Sequence, residues 1–123
     1  MNLDYFYDYC LSKKGVTEHF PFNEDALVLK IGGKMFLLSS LSSWENGSPQ
    51  VNLKCDPVRA QELRAEYDGV QPGYHMSKIH WNTIRINEDV SDTLVKELID
   101  HSYELVFSSL PNKIKNDINS AIK

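Results

Sequence analysis

Ala26-Leu27-Val28-Leu29-Lys30-Ile31-Gly32-Gly33-Lys34-Met35-Phe36-Leu37-Leu38-Ser39 is the stretch on which the fold turns. Two β-rich apolar runs, 26–31 and 34–39, flank a pair of glycines. Gly-Gly between such runs favours a two-residue hairpin with positive φ at both turn positions, because that turn matches the twist of the strands. The register then sets Ile31 opposite Lys34, Leu29 opposite Phe36 and Leu27 opposite Leu38 on one face. Side chains alternate along a strand, so Val28, Lys30, Met35 and Leu37 share the other. Both faces are partly apolar. The second face is therefore expected to be covered as well, or to be used for binding.

Working outward, Leu41 to Pro49 is rich in Ser, Asn, Gly and Pro and reads as a loop, with Trp44 a large apolar group in a polar setting. Gln50 to Lys54 alternates, Val51 and Leu53 pointing one way, as a third strand does. Asp56 and Pro57 open a helix as N-cap and first-turn proline. Ala60, Leu63 and Tyr67 line its inner face, and Asp68-Gly69 ends it. His80 to Ile86 reads as a fourth strand with Ile84 and Ile86 inward.

Ser91 caps a long helix, with Val90 and Val95 at the staple positions. Leu94, Val95, Leu98, Ile99, Ser102, Leu105 and Val106 form its buried stripe. Leu110-Pro111 breaks it, and Ile114, Ile118, Ala121 and Ile122 mark a short final helix. Upstream, Leu3, Phe6, Tyr7, Cys10 and Leu11 recur at the spacing of a one-sided helix. Lys13, Lys14 and Gly15 suit its end. Phe20-Pro21-Phe22 is an extended connector. The order α-β-β-β-α-β-α-α predicts the α+β class, an antiparallel sheet with helices packed on it.

The chain of 123 residues reads as a single domain over 1–123, large enough for a core without metal or disulfide support. Hydrophobic content of 41% and charged content of 24% suit a soluble globular protein. A formal charge of −4 counts against nucleic-acid binding, which neutralises phosphates, although a local basic patch can sit on an acidic body. Cys10 falls on an apolar helix face as a small core residue. With Cys55 it shows no pairing signature. No secretory signal peptide is expected, and no apolar run comes near the ~20 residues needed to span a bilayer. A cytoplasmic protein with no membrane partner is expected.

The densest chemistry lies in Pro72-Gly73-Tyr74-His75-Met76-Ser77-Lys78-Ile79-His80-Trp81, where a turn, two imidazoles, a lysine and large aromatics fall in one loop. His75 and His80 lack a matched third ligand, so no metal is assigned. Asp100-His101-Ser102 names the members of a nucleophilic triad. Adjacent helical residues point apart, however, and cannot form the relay. Ser102 reads instead as a small packing residue, and Tyr103 as a hydrogen-bond donor to a neighbouring element. There is no P-loop, dinucleotide fingerprint or metalloprotease motif, and no cofactor is expected.

Four segments carry a resemblance: Gly32-Gly33-Lys34-Met35-Phe36; Asn52-Leu53-Lys54-Cys55-Asp56-Pro57; Pro72-Gly73-Tyr74-His75-Met76 with His80-Trp81; and Asp100-His101-Ser102-Tyr103-Glu104-Leu105-Val106. In this order and spacing the chain resembles the YjbR/MmcQ family. The resemblance implies a frataxin-like, or CyaY-like, α/β sandwich and the family's usual label, a double-wing DNA-binding protein. Iron-binding members of the frataxin-like fold carry a dense acidic helix. The first helix here offers Asp4 and Asp8 among apolar and basic residues, a departure that speaks against iron handling.

Three function classes follow. In the first, a non-catalytic protein binds DNA weakly. Lys34, Lys54, Lys78 and Arg85 contact phosphate, while Tyr74, His75, His80 and Trp81 shape the site. The competing reading for the lysines is a solvated face or edge protection. In the second, the Tyr74 to Trp81 loop, Trp44 and the hairpin face form a protein- or small-ligand-binding module, since aromatics with a polar handle are frequent at interfaces. An enzyme ranks last.

Overall fold

A computed structural model describes residues 1–74 and 76–120. Along the chain run α1 (Leu3–Leu11), β1 (Val16–His19), β2 (Ala26–Ile31), β3 (Lys34–Ser40), α2 (Leu41–Glu45), β4 (Gln50–Lys54), α3 (Pro57–Glu66), β5 (Val70–Pro72), β6 (Trp81–Arg85), α4 (Asp92–Ser108) and α5 (Asn112–Ser120). The six strands form one sheet in the order β1-β2-β3-β4-β6-β5. Every neighbouring pair is antiparallel. This is the expected α+β class, with two more strands and one more short helix than the sequence announces.

Those additions have weak local signals. β1 is Val16-Thr17-Glu18-His19, which shows no apolar alternation and exists as a strand by pairing with Val28 to Ile31. β5 is three residues long and contains a proline, tolerated because it ends an edge strand. α2 replaces the expected loop. Asp25 organises its start by accepting the Ser42 N–H (2.7 Å) and the Ser40 and Ser42 hydroxyls. Trp44 is not left in a polar setting: its ring lies 4.8 Å from that of Phe6, and its indole N–H donates to Ser39 Oγ at 3.0 Å.

The hairpin turn has φ of 58° at Gly32 and 82° at Gly33, the positive pair expected. Ile31 faces Lys34, as the sequence predicts, but the register then shifts. Leu29 pairs with Leu37 and Leu27 with Ser39, while Phe36 becomes the extra residue of a bulge. The consequence is that Phe36 and Leu37, adjacent in sequence, are both fully buried. Leu37 therefore belongs to the inner face, and the second face carries Val28, Lys30, Met35 and Leu38.

Ser102 of α4 completes this bulge. Its hydroxyl donates to the Phe36 carbonyl (2.5 Å) and accepts the Lys54 N–H (2.9 Å). Paired positions between β3 and β4 are limited to Leu37–Leu53 and Leu38–Asn52. The serine thus bridges two backbone groups beyond the end of that ladder. Above the bulge, the Phe36 and Tyr103 rings meet edge to face, 5.5 Å apart.

The helices share one side of the sheet. Phe6 and Cys10 of α1, Ala60 and Leu63 of α3, and Val95, Leu98, Ile99 and Val106 of α4 form a single core with Leu27, Leu29, Ile31, Leu37, Val51, Leu53, Ile84 and Ile86. Leu41 and Trp44 of α2 and Ile114 and Ile118 of α5 pack against it. Ala121 and Ile122 lie outside the described residues. The caps are those expected: Asp56 accepts the Arg59 N–H and Ser91 the Leu94 N–H. Val90 and Val95 are both buried. Burial pushes the Cys10 thiol up to about 12, which makes it an inert packing group. Among the described residues, no helix is long and apolar enough to cross a membrane.

Candidate functional site

Alternation along the strands puts a second set of side chains on the side of the sheet that the helices leave open. Cross-strand register aligns them in rows. Thr17, Lys30 and Met35 follow one another across β1, β2 and β3, and Lys54 stands opposite Trp81 on β4 and β6. The next row holds His19, Val28 and Leu38, then Asn52, Thr83 and Gln71. Beyond it, Gln50 faces Arg85. The strands contain a single carboxylate, Glu18, and it points to the helix side, where the Tyr7 hydroxyl donates to it. Strand positions on the open side thus carry Lys30, Lys54 and Arg85 and no acid.

An open concavity of about 560 Å³ lies at the β4–β6–β5 end of this face, lined by Gln50, Gln71, Pro72, Tyr74, Thr83 and Arg85. Its floor is rigid. Thr83 Oγ1 donates to Asn52 Oδ1 (2.5 Å) and accepts the Tyr74 N–H (3.0 Å). Arg85 Nη2 donates to the Asp68 carbonyl at 2.8 Å, and its Nε lies 3.7 Å from a Glu88 oxygen. Pro72-Gly73 closes β5 onto β6: the Gly73 N–H donates to the Trp81 carbonyl at 2.8 Å. A Cβ at Gly73 would sit 3.0 Å from that carbonyl oxygen and 2.8 Å from the Trp81 Cβ, so only glycine allows the approach.

The YjbR family matches the chain over residues 11–105. This chain belongs to the YjbR family. It is 40% identical over 93 residues to the uncharacterized protein YbdF of Escherichia coli O157:H7, a match spanning 76% of this chain and 74% of that one. It is 28% identical over 113 residues to the uncharacterized protein YjbR of Escherichia coli K12, covering 92% and 93%. Among solved structures it is similar to the Deinococcus radiodurans protein DR2400, with a DUF419 domain, at TM-score 0.87 and 29% identity over 96% of this chain and 88% of that one. A Pseudomonas syringae protein superposes at TM-score 0.73 with 26% identity, covering 86% and 99%.

The YjbR match takes in the whole sheet, α3 and most of α4, and with them the four segments that carried the resemblance except for Val106 at the end of the last. The fold distributes their residues unevenly. Lys54, Trp81 and Arg85 lie on the open face, and Tyr74 stands at the rim of the concavity, 68% exposed. Lys34 lies at the hairpin tip in register with Ile31, on the helix side. The Lys78 ammonium is held by the Gly73 carbonyl at 3.2 Å. His80 is exposed, and its carbonyl accepts the Cys55 N–H at 2.8 Å. His75 lies outside the described residues. Lys30 joins the face although sequence reasoning leaves it out of the contact set.

Arg64 is the larger omission. From the last turn of α3 its Nε donates to Asn82 Oδ1 (2.7 Å), and its Nη2 reaches the Trp81 carbonyl (3.2 Å) and the Lys78 carbonyl. One guanidinium thereby ties the Tyr74 to Trp81 loop to a helix on the other side of the sheet. Nothing local distinguishes Arg64 from any arginine that favours a helix C-terminus.

The Asp100 to Tyr103 run of the YjbR match behaves as expected of adjacent helical residues. Asp100 accepts the Tyr9 hydroxyl at 2.7 Å and pairs with Lys13. His101 Nε2 accepts the Asp56 N–H at 3.1 Å. Ser102 enters the β3–β4 seam, and the Tyr103 hydroxyl donates to the Lys14 carbonyl at 2.6 Å. Burial, reinforced by the Arg59 charge, holds the His101 pKa below its ordinary value, keeping the ring neutral and able to accept. Among the described residues no three His, Cys, Asp or Glu side chains gather as a metal-binding set.

Proposed function

We propose that this YjbR-family protein is a non-catalytic binding protein whose open sheet face takes nucleic acid. One observation carries the reading: in a chain of net charge −4, the strand positions of that face hold Lys30, Lys54 and Arg85 and no carboxylate. Phosphates favour such a surface, and the acidic remainder repels them elsewhere, which confines contact to the face. Trp81 beside Lys54 adds an aromatic to the cations, the combination that single strands use. Lys78 and His80, close to Trp81 in the sequence, are outer contacts in this reading, while Lys34, on the helix side of the hairpin, is not part of it. The layering of helices on one side of the sheet supports the CyaY-like reading of the fold. The non-catalytic part rests on Asp100, His101 and Ser102, each committed to a different structural partner. Tyr74 and Ile79, 68% and 65% exposed, favour the second reading, a protein- or small-ligand-binding module on the same loop.

Fluorescence anisotropy of labelled DNA at low and moderate salt tests the proposal. Dissociation constants of ~10⁻⁴–10⁻⁶ M at physiological salt are expected, weakening steeply as salt rises. The Lys30→Gln/Lys54→Gln double variant should bind more weakly and with a flatter salt dependence. Absence of binding at low salt, or a double variant that binds as well as wild type, removes nucleic acid from this face and leaves the second reading.

A further inference from the structure

We propose that the concavity bounded by Gln50, Gln71, Tyr74 and Arg85 is a base-binding subsite, so that the face selects single-stranded nucleic acid over duplex; this rests on the nucleic-acid reading above. The volume of about 560 Å³ falls in the range of small-ligand clefts, roughly 300–1,000 Å³. Its chemistry is divided from that of the neighbouring rows. Lys30 and Lys54 lie outside it, while Gln50 and Gln71 bring two carboxamides to its wall. Gln71 Nε2 donates to the Asp68 carbonyl at 2.8 Å, which leaves its carbonyl oxygen and one N–H for a ligand; with the donors and acceptor of Gln50 these can meet the hydrogen-bonding edge of a base.

Arg85, among the described residues the one cation of the face that lines the cleft, can also meet a base. Glu88, 3.7 Å from its Nε, offsets its charge, and the bond from Nη2 to the Asp68 carbonyl fixes the guanidinium. A fixed guanidinium plane can stack on an unpaired base, and so can the exposed Tyr74 ring that lines the same cleft. Lys54 is four residues along β4 from Gln50, roughly 13 Å at ~3.3 Å per residue, so phosphate and base contacts are separated along one strand of the sheet. A duplex cannot make both contacts. Its bases stay stacked and paired, and filling the cleft requires a nucleotide splayed from the stack.

Three labelled probes of equal length test this by anisotropy at low salt: a single-stranded oligonucleotide, a strand of abasic sites and a duplex. The base-bearing single strand should bind at least about fivefold tighter than the abasic strand and the duplex, the least that one stacked base contributes. The Gln50→Ala/Gln71→Ala/Tyr74→Ala variant, which removes the stacking ring together with the carboxamides, should lose most of that preference while binding the abasic strand as wild type does. All three residues are exposed, and an unchanged urea midpoint confirms that the variant is folded. Equal binding of abasic and base-bearing strands overturns the subsite and leaves the phosphate-binding face standing. A preference that survives intact in the triple variant overturns its location. Failure of all three probes to bind overturns the subsite together with the reading beneath it.

Discussion

On the helix side of the sheet, Leu27, Leu29, Leu37, Leu53 and Ile84 are each at most 1% exposed, and the one strand carboxylate sits at the edge under Tyr7. On the open side the same strands present Lys30, Asn52, Lys54, Thr83 and Arg85, with Val28 shielded between His19 and Leu38. Chain composition is acidic, yet neither face is. The acids are placed almost entirely on helices and connections. The contrast shows that a net charge describes the average surface and not the surface a ligand meets. It also separates two kinds of residue within single strands: alternate positions hold the fold, and between them stand Lys30, Lys54 and Arg85, which are less buried.

The sharpest way to break this contrast is Leu98→Ala. Leu98 is 2% exposed in the helix-side core, and its truncation should cost roughly 2–5 kcal/mol in urea unfolding. A loss of a few tenths would mean that α4 does not seal that face. Ser102→Ala comes next. It leaves the Phe36 carbonyl and the Lys54 N–H without their shared partner, at a cost of roughly 2–4 kcal/mol if both stay dry. Retention of wild-type stability would show that water enters the seam.

The turn supplies a graded pair. Gly33→Ala meets open space and only the penalty of positive φ, on the order of 1 kcal/mol. Gly32→Ala bears that penalty and also drives its Cβ to 2.6 Å from Leu110 Cδ1. It should be the less stable of the two in thermal melts. The reverse order would place the turn's packed side wrongly.

A smaller, pH-dependent effect belongs to His101. Its folded pKa is lowered from the ordinary 6.5, so the unfolded chain takes up the proton first. The associated stability is intact above 6.5 and is lost as pH falls through the folded value. His101→Gln keeps an acceptor for the Asp56 N–H without titrating. The stability gap between wild type and this variant should therefore shift to the disadvantage of wild type as pH is lowered from 7.5 to 5. A gap constant over that range would mean that the imidazole is not held neutral. Smallest of all, Lys30→Gln/Lys54→Gln should leave stability within about 0.5 kcal/mol, as surface changes do, while weakening DNA binding. Large destabilisation there would erase the division between the two faces.

Elements with a strong local period are legible in the amino-acid sequence. α1 follows from apolar spacing, α3 and α4 from apolar spacing and N-caps, and the β2–β3 hairpin from two glycines whose φ values are both positive. β1, β5 and α2 are not legible there, because each is short and stabilised by pairing or by Asp25 and not by its own pattern. Of the site, Lys54, Trp81 and Arg85 are marked by their strand positions. Lys30 enters through the register across β1, β2 and β3.

What the amino-acid order determined by itself is therefore the set of helices, the turn and the alternation that gives each strand two faces. These depend on backbone preferences and side-chain periods that act within a few residues. Tertiary structure alone decided which face the helices cover, where the hairpin register slips, and how the binding loop is held. Phe36 becomes a bulge with its carbonyl held by a serine 66 positions away in the sequence. The loop before Trp81 is anchored by Arg64, 17 positions before it. Such contacts satisfy buried polar groups across the fold, and no local pattern encodes the partner of a hydrogen bond made at that distance.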